Sequence, residues 1–347
     1  MITTFMQISG EEFKEFRFIP IKINMLNSYD ITKIIQNEGD IAWLKSDGAN
    51  HIYINFSTSP KIYKFQLTPD FKLVGIFNKE GNGPGEMFAP VTFGLVNDTI
   101  CVTGKDGIRL NIFSRNGKLL DYYLTSNSGG FTLFTHQGKV FGFLTIPAMY
   151  FNEENVPNSL YKFKMDGKTL IPEYSCCPIQ PIGSYLANQM SDFLLSNDSL
   201  LFVSFKYIDR IVCYNLNNLS FKSFGSPAKM HLKSPFLGEH TTRKNKMIFR
   251  LTGNEYVCFR TIFKFSSHIL GAFFWGKPPK SFSYLDILNG NIGGEIIHFF
   301  NLFTGAYLFS IKLPFRLYYL TYSPALDMWI GFKGNLYEIV TFKIKGI

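Results

Sequence analysis

Charged side chains recur at matching places along the chain. Lys105-Asp106 stands just before Arg109, and Lys206 stands just before Asp209-Arg210, each set between two apolar stretches. Paired charges of both signs in a short loop can hold a polar ligand, or they can tie neighbouring structural units together as ion pairs. Glu86, held directly after a glycine-rich loop, and Arg260 are the other candidate binding residues. Lys105, Lys206, Arg210 and Arg260 outnumber Asp106 and Asp209, a balance that favours an acidic or polar ligand.

Other chemistries find less support. The six histidines show no metal-ligand spacing, and His231 and His240, which share one long segment, read as solvated. The five cysteines contain no Cys-x-x-Cys; Cys101, Cys213 and Cys258 each sit in an apolar run, as small buried hydrophobes do. Gly81-Asn-Gly-Pro-Gly-Glu86 is not a phosphate loop, since no Gly-Lys-Ser/Thr follows and Pro84 removes a backbone donor. No Gly-x-Ser-x-Gly elbow occurs. Neither a metal nor a cofactor is expected, and no catalytic residue is assigned.

The 347 residues carry a net charge of +9, but no run of five or six like charges. Dispersed charge of this kind disfavours a nucleic-acid partner. The longest apolar stretch, residues 269–275, is too short to span a bilayer. The first ten residues lack the basic and apolar regions of a leader, so a soluble chain is expected. Composition sets neither compartment nor oligomeric state.

The elements that must position these residues are strands. Phe (37) and Tyr (18) abound, and no long stretch sustains a helical period. Two hairpin series count the units. In one, a polar turn precedes a short apolar strand, at Ser46–Asn50, Asn97-Asp98, His136–Gly138, Asn197-Asp198, Gly253-Asn254 and Pro324–Asp327. In the other, an aliphatic residue leads to an aromatic and usually then a turn. Its aromatics are Phe65, Phe113, Phe163, Tyr214, Phe300 and Phe342, at intervals of about 40 to 50 residues apart from one long gap before Phe300. Ile262–Phe265 fits this series but lacks a glycine turn, and is set aside.

Both series give six. The expectation is an all-β, six-bladed propeller of four-stranded antiparallel blades, a single domain over residues 1–347. Residues 1–36 supply a closing strand and lead-in, residues 37–347 the blades, and an insertion near 264–293 lengthens the fifth. Residues 13–23 are expected to pair beside 337–345, where Phe16 and Phe18 would share one face and Pro20 suit an edge. The insertion's aromatics, Phe273, Phe274, Trp275, Phe282 and Tyr284, either form a partner surface or cap the core.

Gly81-Asn-Gly-Pro-Gly-Glu86, followed by Phe88 and Pro90, resembles the Gly-x-Gly-Pro-Gly-Glu-Phe stretch of bacterial six-bladed propellers of the NHL-repeat-like type. Ile112-Phe-Ser-Arg-Asn-Gly-Lys118 resembles the turn of the same repeats, although Met87 intervenes between Glu86 and Phe88. The motifs cover the first two blades, and the rest follows as pattern. The resemblance implies an often exported or lipid-anchored protein with no assigned activity.

Alternating strand direction sends the long connections, 145–158, 225–244 and 264–293, to one face of such a ring, together with the Gly-Pro-Gly-Glu crossover. Binding is expected there, at a channel mouth lined by Lys105, Asp106, Lys206, Asp209, Arg210 and Arg260. The expected role is non-enzymatic binding or scaffolding of a protein, peptide or glycan. The alternative is a propeller lyase or hydrolase acting in the channel.

Overall fold

The computed structural model describes residues 7–8, 11–12, 16–35, 38, 41–88, 91–104, 108–125, 131–144, 160–176, 190–196, 199–205, 210–225, 241–243, 246–248, 257–276, 293–333 and 337–347. The short strands β1 (Gln7–Ile8) and β2 (Glu11–Glu12) pair together, and β3 (Lys22–Asp30) follows. A four-stranded antiparallel sheet comes next: β4 (Ile41–Ser46), β5 (His51–Phe56), β6 (Ile62–Gln66) and β7 (Lys72–Phe77).

Two further meanders are β8 (Val91–Val96), β9 (Thr99–Gly104), β10 (Arg109–Ser114), β11 (Leu119–Thr125), and β12 (Phe131–His136), β13 (Lys139–Leu144), β14 (Leu160–Asp166), β15 (Thr169–Cys176). Their outer strands run parallel for two residues, Leu124 opposite Thr169 and Thr125 opposite Leu170, which merges them into one eight-stranded sheet. The next sheet holds β16 (Met190–Leu195), β17 (Leu200–Phe205), β18 (Ile211–Asn215) and β19 (Phe221–Phe224). After the hairpin β20 (Thr241–Arg243) and β21 (Lys246–Ile248) comes β22 (Val257–Lys264), β23 (Ile269–Gly276), β24 (Gly294–Asn301) and β25 (Tyr307–Leu317). The last sheet is β26 (Tyr319–Ser323), β27 (Met328–Lys333) and β28 (Glu338–Lys345), completed by β3. No helix among the described residues is long and apolar enough to cross a membrane.

Turn chemistry explains the tight connections. Asn97, Gln137 and Asp327 take positive φ between strands, where hairpin turns need it. Apolar residues on both faces of each inner strand then fill the gaps between neighbouring sheets. One cluster joins the β4–β7 sheet to β8–β10, and a second runs from β8–β10 through β12–β15 to the β16–β19 sheet. A third continues to the β22–β25 sheet, a fourth to the β26–β28 sheet, and the last returns from there to β4. The core is therefore a closed ring.

Two expectations need correcting. The closing strand is β3, not residues 13–23: it pairs with β28 from Lys22 opposite Lys345 to Asp30 opposite Glu338. Pro20 is the physical reason, because it stops a continuous ladder ahead of Lys22. The segment before it has its own seat, with Ile19 N donating to Ser310 O (3.0 Å) and Ser310 N donating to Arg17 O (2.9 Å). Phe16 is buried and stacks on His298 at 5.1 Å.

The second correction concerns the fifth meander. Ile262 and Phe263 lie on its inner strand β22, and Ile269–Gly276 is its second strand rather than inserted loop. Serine does the work of the missing glycine in the turn between them, where Ser266 Oγ accepts from His268 N (3.3 Å). Phe273 and Phe274 are consequently core residues. Phe282 and Tyr284, and the turns at 197–198 and 253–254, lie outside the described residues.

Candidate functional site along the ring axis

Residues of the first strands of five meanders (β4, β8, β16, β22 and β26) line one axial cavity. Against this cavity Lys45 of β4 forms a buried ion pair with Asp192 of β16. Lys45 Nζ also donates to Phe193 O (2.9 Å) and lies 4.6 Å from the centre of the Phe193 ring. Asp192 accepts from Ile262 N on β22 (3.0 Å) and from Phe193 N (2.8 Å). Burial pushes the Asp192 carboxyl upward in pKa, and the Lys45 ammonium opposes the rise. One carboxylate thus pins three sheets together. Phe193 fills the neighbouring space against Gly94 of β8, where any Cβ would come within 2.2 Å of the ring.

Toward the loop-rich end, Arg260 donates to the Tyr319 hydroxyl, which donates to Ala42 O at the start of β4. The guanidinium lies 5.3 Å from the Trp275 ring, 5.3 Å from Tyr318 and 4.5 Å from Tyr319. Burial raises the Tyr319 pKa, so the hydroxyl keeps the proton it donates. An aromatic box thus holds the Arg260 cation between β22 and β26. The long connections, from Leu144 to Leu160, Phe224 to Val257 and Gly276 to Gly294, leave from this end.

Glu86 has its carboxylate turned onto its own loop. Its Oε2 accepts from Gly83 N (2.9 Å), and a Cβ at Gly81, whose φ is 144°, would meet that oxygen at 2.4 Å. Arg109 donates to Gly83 O and to Glu86 O (3.2 Å), and Asn111 reaches Asn78 Oδ1 at 3.2 Å. The crossover loop is therefore stapled from within, as its turn chemistry implied, and Arg109 serves carbonyls there. Arg210 is half-buried at the entry to β18. Lys105, Asp106, Lys206 and Asp209 lie outside the described residues.

At the opposite, tight-turn end the cavity has a volume of about 230 Å³. Its polar lining includes Asp47, Asn97, Arg115 and Lys264. Sequence reasoning missed Lys45 and Asp192. The available signal was a single charge inside each of two otherwise uncharged, largely apolar inner strands, an arrangement that burial tolerates only with a partner.

No protein-family model matches the chain, and no curated protein matches it. Solved structures do. A member of the DUF4221 family from Bacteroides vulgatus aligns over 94% of this chain and 99% of its own, with a TM-score of 0.55 at 12% identity. The chain is a β-propeller. A Bacteroides fragilis protein aligns over 95% of this propeller and 96% of its own length (TM-score 0.54, 11% identity). The WD40 domain of Pan2 from Neurospora crassa aligns over 94% and 97% (TM-score 0.53, 7% identity). These likenesses concern the fold.

Proposed function

We propose that residues 1–347 form one six-bladed propeller that binds or scaffolds a partner rather than transforming a substrate. The count reads the eight-stranded sheet as two blades touching at their outer strands. The NHL-repeat-like type is proposed on the Gly-x-Gly-Pro-Gly-Glu loop alone. The observation that carries the functional reading is the Lys45–Asp192 pin. The acid and base that an axial lyase or hydrolase would use are spent on each other, on Phe193 O and on two backbone N–H groups. What the ring then offers is a rigid rim with long connections at one end.

The partner is a protein, peptide or glycan of acidic or polar character, bound on that rim near Glu86, Lys105, Asp106, Lys206, Asp209, Arg210 and Arg260. No metal or cofactor enters this reading. The test is an array of acidic glycans and acidic peptides probed with the full chain and with the Lys206→Ala/Arg210→Ala variant. The strongest ligand should bind the variant at least about tenfold more weakly, the loss expected for charge-assisted contacts. Equal binding by the two proteins contradicts the assignment.

A further inference from the structure

The tight-turn end of the axis carries charge that the fold does not neutralise. Asp47 is committed to its own turn: Oδ1 accepts from Ala49 N (2.9 Å) and His51 N (3.1 Å), while Oδ2 meets His51 Nδ1 at 2.9 Å. Asp192 belongs to Lys45. Two cations remain in the lining, Arg115 and Lys264, and among the described residues neither forms an ion pair. Arg115 is fixed by donating to Asn97 O from both Nε (3.2 Å) and Nη2 (2.5 Å) and by the Tyr53 ring 5.5 Å away. Its Nη1 is buried without a hydrogen-bond partner among the described residues. A buried guanidinium donor left unpartnered is costly unless something accepts from it. Lys64, which donates to Arg115 O at 3.0 Å, adds a third positive charge nearby; burial lowers its pKa, the Asp47 carboxylate opposes the fall, and Arg115 adds to it.

We infer that this cavity is a binding site for a small oxyanion, a carboxylate or phosphate carried on a compact organic body. The unpartnered Nη1 of Arg115 and the ammonium of Lys264 would take the anionic group, because a guanidinium N–H makes a charge-assisted hydrogen bond and lysine adds a point charge. Leu44, Leu95 and Phe263 in the same lining would cover the apolar body. A volume of about 230 Å³ has room for a small metabolite. The inference stands apart from the proposed rim function, since it concerns the opposite end of the axis and different residues.

Titration calorimetry on the full chain at low salt tests it with four probes: inorganic phosphate, phenyl phosphate, succinate and benzoate. At least one phosphate or carboxylate should bind at one site per chain, and the pair that binds identifies the group. Lys264→Gln should weaken that binding at least about tenfold. Arg115→Lys, which keeps the charge but loses the Nη1 donor, should weaken it less than Arg115→Gln does. Lys312→Gln, a partly exposed surface change away from the cavity lining, and the Lys206→Ala/Arg210→Ala rim variant should bind as the parent does. Melting temperatures within a few degrees of the parent qualify the cavity variants as folded. Absence of binding for all four probes overturns the inference, as does binding that Lys264→Gln leaves unchanged in a folded protein.

Discussion

At the residue scale the axial ion pair dominates. Removing one partner leaves the other charge buried, so Lys45→Met should cost about 3 to 5 kcal/mol. Lys45→Met/Asp192→Leu should recover part of that loss, and denaturant unfolding of the single and double variants checks it. A double variant less stable than Lys45→Met would show that the pair is not the coupling element. His298 supplies the pH dependence. Its ring is fully buried against Ser310 Oγ (2.7 Å), and burial pulls its pKa down to about 3. An unfolded chain binds this proton near pH 6.5 and the folded one only near 3, so stability is complete above that window and is lost as pH falls through it. The loss is on the order of a few kcal/mol. His298→Asn should flatten the fall in melting temperature between pH 6.5 and 4; an unchanged slope would assign the acid sensitivity elsewhere. Neither residue was legible as a site beforehand. Lys45 and Asp192 lie 147 positions apart, and only ring closure brings them together.

At the scale of elements, the turns were the readable part. Asn, Asp and Gly at hairpin positions marked most strands, because few other residues take positive φ cheaply. The fifth meander misled because its inner turn is built from serine side-chain bonds and its second strand is continuously apolar. Packing at an inner strand yields a sharp test. Gly94→Ala drives a Cβ into the Phe193 ring and should cost about 1 to 3 kcal/mol by forced rearrangement. A neutral effect on unfolding would mean that the axis is loosely packed. The closing strand was legible in kind but displaced in register, since hydrophobic alternation in residues 13–23 looks the same whether it meets β28 or lies along β25. Deleting residues 1–30 should expose β28 as an unpaired edge and promote aggregation. Deleting residues 1–15 should leave β3 in place. Light scattering that shows the longer deletion monomeric and equally heat-stable would contradict closure by β3.

At the scale of the molecule, the apolar clusters run from sheet to sheet and return to the first, which makes the ring one mechanical body with two unlike ends. One end gathers the long connections and the boxed Arg260, and the other carries tight turns over a small cationic cavity. The two-ended plan was only half visible in the sequence. Loop length alone identified the rim, whereas the cavity depends on strands folding together. Partners are expected to engage the loop-rich rim. Hydrogen exchange tests it most directly, on Lys264→Gln protein so that the turn-end cavity does not contribute, with and without the strongest array ligand. Protection is predicted in segments 145–159 and 277–292 and at the starts of β22 and β26. Protection confined to the turns at 47–50 and 137–138, with those segments unchanged, would contradict it.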